Sequence, residues 1–477
     1  MFGVYAPGED VARITFYGLY SLQHRGQESA GIATSDGGDE FGLRTGMGLV
    51  AQVFDEEDLA ALRAGHMAIG HTRYSTAGGS LVCNAQPIVV RDERTGSQIA
   101  LAHNGNLTNT RVLREDLAAQ GVEFETTGDS ELMARLLATA PGGTWEERFH
   151  YLMRRVEGAY SVVIMTPSAL FAFRDPMGVR PLCLGRLNGG WVVASESCAL
   201  EHLGIGLDRE VQPGEVVQID EAGTRSFFPG PTPRKHALCT LEYIYFARPD
   251  SRIGGTLVYP AREELGAQLA RECPADGDIV IGVPDSAMPA AIGYSRESGI
   301  PLREGLVKNR YVGRTFIQPD QRIREAGVRL KFNALGEVLE GKRVVLVDDS
   351  IVRGTTTPRV IRLVRRAGAR EVHMRVTSPP IISPCFFGID TATAWELIAA
   401  CKSIPEIQEH IGADSLGYLS VEGLNRAVGG SEEALCNACF TGSYPVDVQM
   451  MMARFEGAER DESWGATVAA GSRAARS

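Results

Sequence analysis

VVLVDDSIVRGTTT, Val344 to Thr357, runs a short, mostly β-branched strand into two carboxylates and then into a glycine with three hydroxyls. Thr357 to Ala367 reads as the helix that follows. Backbone N–H groups of such a turn, with the positive end of the helix dipole, make a phosphate cradle to which threonine hydroxyls add donors. Asp348 and Asp349 beside a phosphate would repel it unless they bind sugar hydroxyls or act through a hard cation such as Mg²⁺. An Asp pair is commonly just a polar turn before a helix, but strand, acid pair, glycine and hydroxyls occur here together and in order. Working outward, Asp278 to Gly282 reads as a strand, Ser286 to Ser298 as a helix, Arg343 to Val347 as a strand and Glu371 to Val376 as a further one. Strands alternating with helices predict an α/β doubly wound parallel sheet with ligands at the carboxyl ends of its strands. Val283-Pro284-Asp285-Ser286 can present donors to a diphosphate, and KNRYVGRTF, Lys308 to Phe316, reads as a basic lid.

The N-terminal part follows a different pattern. Apolar runs at Gly65 to Gly70, Ile99 to Ala102, Ala159 to Met165 and Trp191 to Ser195 are separated by glycine-rich turns, which predicts stacked antiparallel sheets. Helical periodicity interrupts at Asp10 to Gln23 and Asp129 to Ala138, with Thr127 or Asp129 as cap, so the class here is α+β, layered αββα. FPGPTP, Phe228 to Pro233, has three prolines in six residues and marks the boundary. The expected domains are 1–230 and 231–455, with 456–477 a disordered tail of small and polar residues.

Composition narrows the class. The chain has 477 residues, 44% of them hydrophobic and 22% charged, as expected for a folded protein of several domains. A net charge of −11 argues against a broad nucleic-acid surface. No run approaches the roughly 18 apolar residues of a membrane span, and Glu9 and Asp10 stand where a signal peptide is apolar, so a cytoplasmic location is expected. Nine cysteines in such a chain suggest reactive or metal-binding roles over a disulfide framework. Cys436-Asn437-Ala438-Cys439 is a knuckle that two more thiolates would complete, with Cys239 and Cys385 as candidates. Spacing leaves zinc and an iron–sulfur cluster open. Without a dinucleotide or flavin fingerprint, a redox enzyme is not favoured.

The 344–357 string resembles the phosphoribosylpyrophosphate (PRPP) motif of type I phosphoribosyltransferases. Upstream, LQHRGQESAGIA (Leu22 to Ala33), GHTRYSTAG (Gly70 to Gly78), LAHNGNLTN (Leu101 to Asn109) and TGDSELMARLL (Thr127 to Leu137) are each weak alone. In this order they resemble the N-terminal-nucleophile glutaminase domain of the glutamine PRPP amidotransferase family, and with the second half the resemblance covers nearly the whole chain. It implies a two-site enzyme of purine biosynthesis, in which ammonia from glutamine attacks ribose C1 of PRPP and displaces diphosphate. It further implies Arg73 on the glutamine carboxylate, Asp129 on its ammonium, and Asn104 with the Gly105 N–H as oxyanion hole. PRPP would lie on Asp348, Asp349, Ser350, Arg353, Gly354, Thr355, Thr356, Lys308 and Arg314, with magnesium at Ser286, Asp348 and Asp349. Cys239, Cys385, Cys436 and Cys439 would carry a 4Fe–4S cluster, as in some family members. Purine-nucleotide inhibitors and a homo-oligomer are the partners implied.

One departure stands out. The family's mature chain begins Cys-Gly-Val-Phe-Gly, whereas this one begins Met1-Phe2-Gly3, so Met1 occupies the valine position and the nucleophile is absent. Only five of the 48 basic residues are lysine, as in a GC-rich gene, and a GTG valine codon read as a start is the expected explanation. Two competing readings are an ammonia-only transferase and a PRPP-sensing regulatory module. The basic lid and the lack of a DNA-binding motif argue against the regulator.

Overall fold

Side-chain alternation along the strands builds the N-terminal half. The structure, a computed structural model, describes residues 1–62, 65–74, 79–231, 235–309, 332–389, 394–430 and 434–448. Strands β1 (Phe2–Tyr5), β2 (Ser29–Ser35), β3 (Gly42–Met47), β4 (Met67–Arg73), β5 (Ile88–Arg91), β6 (Gln98–Leu107), β7 (Gly158–Met165), β8 (Leu170–Arg174), β9 (Cys183–Leu187), β10 (Gly190–Ala194), β11 (Leu207–Glu210), β12 (Val216–Asp220) and β13 (Gly223–Phe227) form two antiparallel sheets. Their orders are β11-β9-β10-β1-β4-β2-β3 and β13-β12-β8-β7-β6-β5. Val163 and Met165 of β7 pack between the sheets with Ala100, Ala102 and Val193, while Tyr160, Val162 and Ile164 join the opposite core. Helix α1 (Val11–Ser21) covers the first sheet, and its N-cap Asp10 accepts from the Arg13 N–H at 3.1 Å. Helix α2 (Asp129–Ala138) covers the second with Leu132, Met133, Leu136 and Leu137 buried. The layers are therefore αββα, as the pattern implied. The cap expected at Thr127 or Asp129 is instead Gly128, without a side-chain bond, because the Asp129 carboxylate turns to the Leu107 N–H.

In the second half come β14 (Leu238–Cys239), α3 (Val258–Glu272), β15 (Ile279–Gly282), α4 (Met288–Ser298), β16 (Arg343–Asp348), α5 (Thr357–Arg366), β17 (Glu371–Val376), α6 (Ile404–Ile411), β18 (Ser415–Tyr418) and β19 (Leu435–Cys436). The sheet β15-β16-β17-β18 is parallel throughout. Val280, Val345 and Val347 pack with Leu265, Ala290 and Tyr294 on one face; Ile281, Val344, Leu346 and Met374 pack with Val360, Ile361 and Ile407 on the other. Both faces are covered, which is why β15 and β16 read as unbroken apolar runs. Helix α4 starts at Met288, two residues after the expected Ser286, which stays in the loop after β15. The proposed tail 456–477 and residues 310–316 of the basic string lie outside the described residues.

The halves are joined by buried polar contacts as well as apolar ones. Ala237 N–H donates to Met177 O at 2.9 Å and Cys239 N–H to Val179 O at 3.1 Å. Arg25, from the QHRGQES string, donates to Glu242 of the second half at 2.8 and 3.1 Å and also to Glu196. Arg180 adds a second cation 3.1 Å from Glu242, and Phe246 lies under both guanidinium groups, 4.5 and 4.9 Å from their centres. Burial opposes the charge on Glu196, but Arg25 and His24 outweigh it and hold its carboxyl well below the usual range.

Candidate functional site

Arg73, Asn104, Gly105 and Asp129 line one cavity. Asn104 lies in β6, and its amide is clamped: its oxygen is 2.9 Å from His71 Nε2, and its nitrogen donates to Ser195 Oγ at 2.8 Å. Ser195 in turn donates from both N–H (3.1 Å) and Oγ (3.2 Å) to the carbonyl of Met1, so residue 1 sits at the edge of this network. Gly105 has φ +138°, and a Cβ there would fall 2.0 Å from Ala159 O, so only glycine fits. Asp129 is buried at the start of α2, accepts from the Leu107 N–H at 3.0 Å and lies 3.6 Å from His103 Nδ1. Burial pushes its pKa up, yet His103 and the Leu107 N–H prevail and hold it below the ordinary carboxylate range. Arg73 is only 4% exposed, and its guanidinium is paired with Glu28 and donates to Gly79 O at 3.2 Å. Burial, with Arg25 nearby, pulls the α-amine of Met1 down to about 4.

Part of this cavity's wall comes from the second half. Phe246 and Gly388 both line it, and a Cβ on Gly388 would come within 2.8 Å of the Gly105 backbone. Asn106, beside the Gly105 turn, donates to Phe386 O at 3.1 Å. Nothing in the sequence signalled these contacts, because they join positions some 280 residues apart. His71, His103 and Glu28 lie within the quoted strings, but neither spacing nor residue type marks them there as part of the site.

A second site forms where β16 ends. Asp349 accepts from Ser286 Oγ at 2.5 Å and Ser350 Oγ at 2.7 Å, and Asp348 accepts from the Asp349 N–H at 2.9 Å. Arg353 is 3.4 Å from Glu396. Gly354 has φ +65°, and a Cβ would collide with Ile398 at 2.4 Å. Thr355 and Thr356 are exposed, and Thr356 is the N-cap of α5. Lys308 pairs with Asp285, next to Ser286, whereas Arg314 lies outside the described residues. This is the carboxyl-end placement expected for a doubly wound sheet.

The four candidate thiols share a neighbourhood. Cys239 pairs with Cys436 in the parallel β14–β19 ladder, and Cys385 and Cys439 pack in the same core. Burial raises all four pKa values, that of Cys239 to about 12, and for Cys439 the other three cysteines add to the rise. Among the described residues no three His, Cys, Asp or Glu side chains converge as a metal-holding group. No helix among them is long and apolar enough to cross a membrane.

Family models match at residues 71–202, a glutamine amidotransferase domain, and 258–378, a phosphoribosyl transferase domain. The amidophosphoribosyltransferase of Synechococcus elongatus is 52% identical over 94% of this chain and 91% of its own length, and that of Bacillus subtilis 48% over 94% of each. The chain belongs to the amidophosphoribosyltransferase family. A solved Bacillus subtilis glutamine PRPP amidotransferase, complexed with ADP and GMP, superposes with a TM-score of 0.87 at 47% identity over 94% of this chain and 97% of that one. Amidophosphoribosyltransferases are pentosyltransferases with a glutamine amidotransferase domain that use glutamine and PRPP at the first step of purine biosynthesis. The regulatory-module reading is not favoured.

Proposed function

We propose that this amidophosphoribosyltransferase works through the two sites described, with Arg73 and Asp129 holding the carboxylate and ammonium of glutamine and Asn104 with the Gly105 N–H as oxyanion hole. The observation that carries this is the shared wall: Phe246 and Gly388, from the half that bears Asp348 to Thr356, line the cavity that holds Asn104 and Gly105. Arg73 would exchange Glu28 for the substrate carboxylate, a bidentate match for a guanidinium. Asp129, kept ionised in a buried place, suits an ammonium partner. In a protein that also carries the nucleophile, ammonia released here would be kept out of bulk water on its way to the second site.

At that site Gly354, Thr355 and Thr356 would cradle the 5-phosphate, Arg353 and Ser350 would line the loop, and Lys308 with Arg314 would close over the diphosphate. Ammonia attacks C1 of PRPP, the C1–O bond to diphosphate breaks, and the attacking nitrogen sheds a proton to leave phosphoribosylamine. Ser286, Asp348 and Asp349 would hold Mg²⁺, with the Asp349 carboxylate oriented by the Ser286 and Ser350 hydroxyls. When bound, that ion neutralises charge on the departing diphosphate. The proposed units remain 1–230 and 231–455, in a homo-oligomer inhibited by purine nucleotides. The ADP and GMP on the Bacillus subtilis relative support such inhibitors. The direct test is PRPP with ammonia: phosphoribosylamine and diphosphate should form in equal amounts, and diphosphate release that does not depend on ammonia would refute the scheme.

For Cys239, Cys385, Cys436 and Cys439 we propose a 4Fe–4S cluster, and for the protein a cytoplasmic location, where thiols stay reduced. The pairing of Cys239 with Cys436 and the packing of Cys385 and Cys439 in the same core support one site, and a bound metal would offset the burial penalty on their thiolates. Because Cys239 also donates its N–H to Val179 O, the cluster would pin the exit of the linker to the N-terminal half. Protein purified without oxygen should be brown, with about four irons and four sulfides per chain. Serine at any of the four should remove the colour and lower thermal stability, while serine at the exposed Cys83 should not. Colourless protein with one zinc would eliminate the cluster.

A further inference from the structure

The loop that cradles phosphate in the proposed reading is held from behind by one segment, Glu396 to His410. The Ile398 N–H donates to Val352 O at 2.9 Å, and His410 Nε2 donates to Gly354 O at 3.1 Å. A carbonyl can only accept, so that ring nitrogen carries its proton. Glu396 touches Arg353, the residue between these two carbonyls, at 3.4 Å. In a planar trans peptide the C=O and the following N–H point in opposite directions. Tying Val352 O and Gly354 O backward therefore aims the N–H groups of Arg353 and Thr355 forward, to the side where the exposed Thr355 and Thr356 lie. Among the described residues neither N–H is engaged in a hydrogen bond.

The brace is itself rigid. Helix α6, which carries His410, is capped by Ser403, whose N–H donates to Glu406 at 2.8 Å, and ends at Gly412 in the left-handed conformation. Ile407 and Ile411 bury it against the sheet core that also holds Ile398. Ile398 fills the space that a Cβ on Gly354 would need, so the loop can neither sink nor acquire a side chain there.

We propose that His410 is a positioning residue for the transferase reaction, pre-organising the Thr355 N–H for the phosphate of PRPP through the Gly354 carbonyl. The proposal rests on the reading of Arg353 to Thr356 as the PRPP cradle. Its contribution is to binding, since the phosphate keeps the same contacts in ground and transition states. With the full chain, PRPP, Mg²⁺ and ammonia, His410→Ala should raise KM for PRPP roughly three- to tenfold, the effect of one hydrogen bond, and leave kcat within about twofold. KM for ammonia should not move, and the thermal midpoint should fall by no more than the loss of one hydrogen bond allows. His410→Gln, whose amide nitrogen can reach the place of Nε2, should restore most of the PRPP affinity. An unchanged KM for PRPP in His410→Ala, or His410→Gln as impaired as His410→Ala, would overturn the proposal. Failure of the cradle reading itself is a separate result: Asp349→Asn would then retain full turnover whatever His410 does.

Discussion

Asp349→Asn is expected to cut ammonia-dependent phosphoribosylamine formation by about a hundredfold or more, a loss of at least roughly 3 kcal/mol of transition-state stabilisation. The substitution keeps the side chain's size but removes the charge that, in the proposed mechanism, would hold the cation and face the developing positive charge of the sugar. Its position makes the effect specific. The carboxylate accepts from Ser286 and Ser350, so an amide must either turn a donor toward one of these hydroxyls or lose that contact. The fold should survive, because β16 is held by its ladders to β15 and β17 and by apolar packing on both faces. Removing one of two neighbouring charges, Asp348 being the other, can even raise the thermal midpoint of the unliganded protein. The measurement is kcat and KM with ammonia beside a melting curve. Wild-type turnover in Asp349→Asn would remove the carboxylate from the mechanism, whereas a stability gain would not.

The second large effect concerns glutamine. A protein that starts at Met1 is expected to make phosphoribosylamine from ammonia and none from glutamine. One that carries Cys-Gly ahead of position 1, with Met1→Val, should gain glutamine-dependent turnover of about a thousandfold or more over that background, since a nucleophile is worth at least this much. The ladder shows why the register suits it. Phe2 pairs with Gly70 and Tyr5 with Met67, so Met1 falls opposite His71, and two added residues extend β1 until its first lies opposite Arg73. The new thiolate and α-amine would then stand beside the guanidinium proposed to grip glutamine. Burial and Arg25 already lower the amine of Met1 to about 4, and an amine displaced two residues outward would recover basicity and serve the thiol as base. Glutamine turnover by the Met1 protein at the ammonia rate would refute this prediction, and so would an extended protein that binds glutamine yet fails to cleave it.

Much of the architecture was legible in sequence because it is local. The apolar strand Arg343 to Val347, its acid pair and the Gly-Thr run are contiguous, and both the period-2 alternation and the unbroken buried runs follow from whether one or both faces of a strand are covered. Helix α2 begins and ends where its apolar spacing said, although its cap did not, because a tertiary hydrogen bond to Leu107 claimed the Asp129 carboxylate. Arg73, Asn104, Gly105 and Asp129 come from a family resemblance carried by strings that each sit on one strand or helix start, and the four line one cavity.

What the sequence by itself determined, then, was the two halves, their layers and the positions of the polar groups at strand ends, since propensity and alternation act over a few residues. Only the tertiary structure decided that Phe246 and Gly388 wall the cavity of Asn104 and Gly105, that Arg73 rests on Glu28, that Arg25 reaches across to Glu242, and that His410 holds the Gly354 carbonyl. Each of these is a contact between distant segments whose partners carry no periodic or spacing signal. They exist because buried charges and carbonyls must find partners wherever the packed chain supplies them.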